Sequence, residues 1–118
     1  MKDESKKYRK SVIEMIELLG SPSEQMKYER DVPIADVPAE LICGFADDLY
    51  HPKSELFLNA FTEEELKSLA ELYGKICIAS DAFTKNKCHS VSDIQKLQEW
   101  RAVIAFSKDL IVELRRNG

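Results

Sequence analysis

The sequence has little of what marks a secreted, membrane-bound or metal-stapled protein. Its three cysteines, Cys43, Cys77 and Cys88, form no CxxC pair, so neither a disulfide framework nor a zinc site is indicated. No apolar run approaches the roughly 18 residues that a membrane span needs. Residues 1–10 are charged and lead into no signal-peptide pattern. We therefore expect a cytoplasmic protein that does not enter membranes.

Glycine and proline are also scarce, with four of each among 118 residues, which argues against long irregular regions. The sequence contains no P-loop, dinucleotide fingerprint or EF-hand loop, and we expect no cofactor. The remaining composition, 44% hydrophobic and 32% charged, is that of an ordinary globular protein. A chain of this length can bury a hydrophobic core without staples. We predict one domain over residues 1–118.

Apolar residues recur at helical spacing, and capping residues mark the helix starts. Thr62 and Glu65 form a capping box, and Phe61 and Leu66 are placed to staple its first turn. The fold class predicted is an all-α bundle of about four main helices with short connecting helices. The predicted helices are 3–19, a short one from Pro22 to about Tyr28, one begun by Asp36 or Val37 and ended by His51-Pro52, one from Glu63 to about Asp81, and a last one opened by Ser90. A connector is predicted at 31–38. Residues 53–61 fit either a short helical turn or an extended run, and a partly helical connector is the favoured interpretation.

The apolar stripes predict which side chains are buried. Cys43 and Cys77 fall within helical stripes and are predicted to be small buried hydrophobes. Gly44 either weakens its helix or lets another helix approach closely. The last helix buries Trp100. The predicted core stripes are Leu41, Ile42, Phe45 and Leu49; then Leu66, Leu69, Ala70, Tyr73, Ile76 and Cys77; and finally Ile94, Leu97, Trp100, Ile104, Ile111 and Leu114.

Negative charge is concentrated in the middle of the chain. Between Glu29 and Glu71 there are eleven acidic and three basic residues, a net charge of −8, whereas both ends of the chain are basic. Such a segment disfavours direct binding to nucleic acid, which needs a basic footprint. It favours a basic partner and speeds association with it. A solubilising acidic surface is the alternative interpretation.

The sequence offers two weak candidates for catalysis. Cys88 and His89 are neighbours, but adjacent residues on a loop do not by themselves orient a nucleophile and its base. The acidic runs Asp47-Asp48 and Glu63-Glu64-Glu65 contain consecutive helical residues, which point about 100° apart and do not converge on one ion. We therefore predict no catalytic residue and no metal site.

The same acidic runs are better candidates for binding a partner protein. They flank the 49–61 connector together with Tyr50, and aromatic anchors combined with steering charge are typical of protein interfaces. Glu65 is expected to be occupied by capping Thr62. The predicted partner-binding residues are Asp47, Asp48, Tyr50, Glu63 and Glu64.

The segment from His51-Pro52 to Ile76, about 25 of 118 residues, carries a family resemblance. Its run Phe61-Thr62-Glu63-Glu64-Glu65-Leu66, with Leu56 before it and Leu69 and Tyr73 after it, resembles the middle of small helical immunity proteins of bacterial polymorphic-toxin and contact-dependent growth inhibition systems. The resemblance implies a cytoplasmic, non-enzymatic protein that binds one cognate toxin domain, often a basic nuclease. It assigns no individual functional residue.

Three hypotheses remain open at this point. The first is a stoichiometric inhibitor, an immunity protein for a basic toxin domain. The second is a helical regulatory or adaptor domain, in which the basic residues Lys6 to Lys10, Arg115 and Arg116 converge into a patch. The third is a small enzyme using Cys88 and His89. The sequence leaves open the partner's identity, whether an active site or an exosite is blocked, and the oligomeric state.

Overall fold

Capping residues begin the helices where the sequence predicts them. Ser21, Asp36 and Thr62 each accept a hydrogen bond from the backbone N–H three residues on, and the Glu65 carboxylate completes the Thr62 box at 2.8 Å. The predicted all-α class is confirmed. The computed structural model describes residues 3–117, and its helices are α1 (Asp3–Leu19), α2 (Pro22–Asp31), α3 (Val37–Ala46), α4 (Glu55–Ala60), α5 (Glu63–Lys85), α6 (Val91–Ile94) and α7 (Gln98–Arg116).

The last predicted helix is two helices, which corrects the prediction from sequence. Ser90 opens only the single turn α6, and extended backbone at Leu97 (φ −80°, ψ 135°) separates it from α7. The Gln95 side chain at the break donates to the Pro22 carbonyl at 3.0 Å and to the Gln25 side chain at 3.2 Å. These bonds to α2 are tertiary contacts, which helical periodicity cannot reveal.

The third helix also ends earlier than predicted. It stops at Ala46 and not at His51. Just beyond Ala46, two backbone hydrogen bonds reach back five residues, which is one more than in an α-helix. The N–H of Asp48 donates to the Cys43 carbonyl at 3.0 Å, and that of Tyr50 donates to the Phe45 carbonyl at 2.8 Å. The apolar pattern continues through these wide turns, which explains why the sequence predicted a longer helix.

The buried face of α5 is rotated relative to the predicted stripe. Leu69 and Ile76 are buried as predicted, but Ala70 and Cys77 are exposed and Tyr73 is 37% exposed. Cys43 is exposed as well, so the prediction that both cysteines are buried is wrong. The reason is that Glu65, a charged residue, holds a core position. The buried residues of α5 are Glu65, Leu69, Leu72, Ile76, Ala79, Ala82 and Phe83.

The core lies where α7 packs against both α5 and α1, with α3 against α5 and α4 against α1. Trp100 is fully buried as predicted. Its indole N–H donates to the buried Gln25 side chain at 3.0 Å, which fixes α2 to α7. A Cβ atom at Gly44 would come within 2.8 Å of Met15 Cε, the flexible end of an α1 side chain. Gly44 thus faces α1, and both interpretations of this glycine stay predictions.

A buried ion pair joins four parts of the fold. The Arg9 guanidinium donates to both Glu65 carboxylate oxygens at 2.8 and 2.7 Å, a bidentate geometry. It also donates to the carbonyls of Ala60 at 3.0 Å and Leu114 at 2.8 Å. Asn117 donates to Glu65 at 3.1 Å. The pair thus ties α1 to the α4–α5 junction and to the end of α7.

The environment of Glu65 favours its ionised form. Burial alone would raise the pKa of this carboxyl group, but the hydrogen bonds from Arg9, Thr62 and Asn117 and the Arg9 charge outweigh burial, so the pKa lies below its ordinary value. The same pair raises the pKa of Arg9 through its hydrogen bond to Glu65. A carboxyl group with a depressed pKa stabilises the fold above its ordinary pKa, and that stabilisation is lost as the pH falls through the folded value.

We expect Glu65→Gln to lower the free energy of unfolding at neutral pH by about 3 kcal/mol, because the Arg9 charge stays buried without its partner. As the pH falls below the ordinary glutamate pKa of about 4.3, the difference between wild type and variant should shrink. Urea unfolding across a pH series measures this difference in the free energy of unfolding. A difference that stays constant down to the lowest pH at which the protein is folded would contradict the prediction. The double substitution Arg9→Met/Glu65→Leu should lower the free energy of unfolding by less than the sum of the two single substitutions.

The end of α5 has a residue in an unusual conformation. The Cys88 N–H donates to the Phe83 carbonyl at 3.0 Å and the Lys87 N–H donates to the Thr84 carbonyl at 3.2 Å, which is the Schellman arrangement. Lys87 has a φ of 54°, a left-handed conformation that glycine adopts without strain.

Lys87→Gly should therefore raise the free energy of unfolding, by up to about 1 kcal/mol. The matched control is Lys85→Gly, two residues earlier and still helical, which should lower it by about 1 kcal/mol. Chemical denaturation compares the two variants. If Lys87→Gly lowers the free energy of unfolding, the left-handed backbone conformation of Lys87 carries no strain.

Candidate partner-binding surface

Three carboxylates of α3 and the turn after it surround one exposed thiol. Glu40, Cys43 and Asp47 lie at helical spacing on the exposed side of α3, and Asp48 follows them. The neighbouring Asp47 carboxylate, then burial, then the charges of Asp48 and Glu40, raise the pKa of Cys43. The carboxylates are therefore close enough together to produce a joint negative field.

A stacked pair of tyrosines lies beside these acids. The rings of Tyr50 and Tyr73 are 4.7 Å apart between centroids, with 23° between their planes. The Cys77 side chain, then burial and the charge of Asp47, raise the pKa of Tyr73. Asp47 precedes Tyr50 by three residues in the turn after α3. We call this region the acidic–aromatic surface and define it as Glu40, Cys43, Asp47, Asp48, Tyr50 and Tyr73.

Tyr50 is held firmly by the core beneath it. Its ring stacks on Phe45 at 5.6 Å and meets Phe57 edge-on at 5.4 Å, and burial raises the pKa of its hydroxyl group. Tyr73, by contrast, keeps 37% of its surface exposed. The acidic–aromatic surface thus has a fixed aromatic floor and an accessible aromatic ring, arranged before any partner binds.

The structure brings together only some of the predicted partner-binding residues. Asp47, Asp48 and Tyr50 lie together on the acidic–aromatic surface. Glu63 is exposed in the first turn of α5, about 15 Å along that helix from Tyr73. Glu64 is exposed next to it and lies 3.7 Å from Lys67.

Glu64 also lies on a different side of α5. It shares a helical flank with Ser68, whose hydroxyl group donates to the Glu113 carboxylate of α7 at 3.0 Å. Tyr73 lies on the opposite flank, against the turn that follows α3. Glu63 and Glu64 are therefore separate from the acidic–aromatic surface. Their role in binding stays a prediction.

Sequence reasoning missed Glu40 and Tyr73 as members of this surface. Tyr73 was assigned to the core because it falls on an apolar stripe, and the rotation of α5 that exposes it depends on the interior position of Glu65. Glu40 carries a sequence signal, since it precedes Cys43 and Asp47 by three and seven residues on one helix face.

The basic ends of the chain converge at a second site. Lys6 and Lys10 of α1 and Arg115 of α7 line a groove of about 990 Å³, which we call the basic groove. Two acids share its rim, but Glu17 is paired with Arg115 at 2.8 Å and Glu14 lies 4.0 Å from Lys10. The apolar and polar residues that complete the lining are Ile13, Ala60, Phe61, Leu114, Asn59, Thr62, Asn117 and the paired Arg9.

Cys88 and His89 line a smaller groove of about 400 Å³ between α3 and the end of α5. The pKa of the Cys88 thiol is raised, first by burial and then by the charge of Asp93. A raised pKa reduces the thiolate, which is the nucleophilic form. Within residues 3–117 the thiol and the imidazole ring share no hydrogen bond. This geometry does not support a nucleophile and its base.

Two further features, a metal-binding cluster and a membrane-spanning helix, are absent from the described residues. Residues 3–117 contain no group of three or more His, Cys, Asp or Glu side chains placed to hold a metal ion. None of the helices in that range combines the length and the apolar character needed to cross a membrane.

Thiol alkylation should report the negative field of the acidic–aromatic surface without any partner. In a Cys77→Ala/Cys88→Ala background, Cys43 should react with iodoacetamide at about pH 8 several-fold more slowly than free cysteine, because its raised pKa keeps it protonated. Asp47→Asn should speed the reaction, whereas Asp109→Asn on α7 should not. Equal rates for the two aspartate variants would mean that Asp47 does not act on the thiol.

Comparisons with known proteins give no relative: no family model matches the chain, and no curated protein or solved structure is similar to it.

Proposed function

We propose that this protein is a stoichiometric, non-enzymatic inhibitor that binds a basic protein domain through its acidic–aromatic surface. The more specific form of the proposal is an immunity protein that neutralises a cognate toxin domain of the nuclease type. Binding alone is sufficient for such a function, because covering an active site or an adjacent exosite prevents substrate from entering.

The observation that carries the proposal is the stacking of the exposed Tyr73 on Tyr50, which follows Asp47 and Asp48 in the turn after α3. Exposed carboxylates raise the rate of encounter with a basic partner, and aromatic side chains at the centre of an interface slow dissociation. The stacking of Tyr73 on Tyr50 at 4.7 Å limits the side-chain entropy lost on binding. Charge and anchor thus occur together on a rigid surface.

One observation favours a second function, that of a helical adaptor or regulatory domain. Lys6, Lys10 and Arg115, which are part of the set in the sequence hypothesis of converging basic ends, line the basic groove, whereas Lys7 and Arg116 do not. An adaptor needs two binding sites, and the acidic–aromatic surface and the basic groove have opposite charge. Glu14 and Glu17 offset the groove's charge, which makes it a poor footprint for nucleic acid.

The gene context tests the immunity function directly. A toxin-bearing open reading frame immediately upstream is expected, and co-expression of this chain should protect cells from that toxin domain. The toxin domain with its active-site residue replaced should still bind this chain in a 1:1 complex. An adjacent toxin that kills cells equally with and without this chain would exclude it as the cognate immunity protein.

Binding kinetics test the acidic–aromatic surface. Asp47→Lys/Asp48→Lys should slow association with the basic partner by roughly tenfold or more at low salt and flatten its salt dependence. Tyr73→Ala should raise the dissociation rate and cost about 2 kcal/mol of binding free energy. Surface plasmon resonance over a salt series separates the two effects.

Two charge-matched variants complete this experiment. Asp109→Lys changes the net charge as much as Asp47→Lys but lies on α7, and it should leave association nearly unchanged. Glu63→Lys/Glu64→Lys should slow association less than Asp47→Lys/Asp48→Lys does. The reason is that Glu63 and Glu64 lie outside the acidic–aromatic surface and attract the partner only at longer range. If Asp47→Lys and Asp109→Lys have equal effects in folded protein, only net charge matters and the surface assignment fails.

A further inference from the structure

An isoleucine side chain projects almost completely into solvent at the connector between α2 and α3. Ile34 is 97% exposed, far above the next large apolar side chain in residues 3–117, Ile78 at 61%. It is the third residue of a β-turn closed by the Ala35 N–H, which donates to the Val32 carbonyl at 3.1 Å. Pro33 at the second position fixes the backbone of this turn.

The turn is held in place from both sides. The Val32 N–H caps the end of α2 by donating to the Tyr28 carbonyl at 2.9 Å. On the other side, Asp36 caps α3 by accepting from the Ala39 N–H at 3.3 Å. Little backbone freedom is therefore lost if Ile34 is buried by a partner. Polar residues and glycine are the usual choices in turns, so the turn itself does not require an isoleucine.

Acidic side chains flank this isoleucine. Asp31 precedes the turn and Asp36 follows it, and both are exposed. We call this segment, residues 31–36, the acidic knob. Arg30, just before the knob, lies 4.0 Å from Asp31, so residues 30–36 carry a net charge of −1. That charge favours an apolar cavity with a cationic rim over an anionic lipid surface.

The basic groove offers such a cavity. Its floor contains the apolar residues Ile13, Phe61 and Leu114, and its rim carries Lys6 and Lys10. Glu14, 4.0 Å from Lys10, and Glu17, paired with Arg115, offset part of the rim charge. Lys6 makes no ion pair within residues 3–117. At about 990 Å³, the groove has ample room for an isoleucine side chain and its turn.

The acidic knob and the basic groove have no residue in common, so every copy of the chain carries both. A contact between the knob of one copy and the groove of another is heterologous and leaves a free knob and a free groove at the ends. The small area of one turn places such a contact among weak and transient interfaces.

We propose that the acidic knob of one copy binds the basic groove of a second copy in a head-to-tail contact. Ile34 fills the apolar floor, and Asp31 and Asp36 lie against Lys6 and Lys10. The contact uses neither Asp47 nor Tyr73, so it is independent of the proposed inhibitory function.

Sedimentation equilibrium of the wild-type chain provides the first test. The weight-average mass should rise above that of the monomer as the concentration approaches about 1 mM, because weak contacts need high concentration. High salt should reduce this rise, since the contact contains exposed charges. Ile34→Ser should abolish the association, whereas Ile78→Ser, which removes another exposed isoleucine, should leave it unchanged.

A mixing experiment tests the heterologous geometry. Ile34→Ser keeps an intact groove, and Lys6→Glu/Lys10→Glu keeps an intact knob, so each variant alone should remain monomeric. An equimolar mixture should form a 1:1 heterodimer that grows no further, because only one complementary knob and groove remain. Circular dichroism should confirm that both variants are folded.

Three results would overturn the proposal. One is a wild-type chain that is monomeric up to about 1 mM at low salt. Another is an Ile34→Ser variant that associates as strongly as wild type. The third is a mixture of the two folded variants that stays monomeric. Wild-type binding to anionic phospholipid vesicles that Ile34→Ser abolishes, without self-association, would assign Ile34 to a lipid surface instead.

Discussion

The fold depends on one buried ion pair, Arg9 with Glu65. The Glu65 side chain is fully buried and Arg9 is 9% exposed, and burying two charges is favourable only when their hydrogen bonds are satisfied. Here both carboxylate oxygens meet the guanidinium, and the carbonyls of Ala60 and Leu114 accept the other hydrogens of its two terminal nitrogens. The pair therefore fixes the positions of α1, the α4–α5 junction and the end of α7 at once.

That requirement also determines the surface. Because Glu65 faces inward, α5 is rotated so that Tyr73 reaches the solvent beside α3 and joins the acidic–aromatic surface. Because Arg9 faces inward, Lys6 and Lys10, on the same helix, are left on the rim of the basic groove. The ion pair thus accounts for the exposure of Tyr73 and for the position of Lys6 and Lys10. The carboxylates Glu40, Asp47 and Asp48 come instead from α3 and the turn that follows it.

The parts that the sequence predicted well are those whose causes are local. Thr62 and Glu65 are three residues apart, and their reciprocal hydrogen bonds form in any context where the helix forms. Asp47 and Asp48 are exposed next to Tyr50, as their position beside a connector suggests. The predictions failed where distant residues intervene. Gln25 of α2 holds the break before α7 through Gln95, and the exposure of Cys77 follows from the rotation of α5.

The sequence by itself determined the helical class, the starts of α1, α2, α3 and α5, the burial of Trp100 and the concentration of acid in the middle of the chain. These follow from capping chemistry, apolar periodicity and composition, which act over a few residues. Only the tertiary structure decided which acid is interior, which tyrosine is accessible and where the two basic ends meet. The physical reason is that Arg9 and Glu65 are 56 residues apart in the chain. Their pairing, and the helix rotations that it imposes, exist only once the helices have packed.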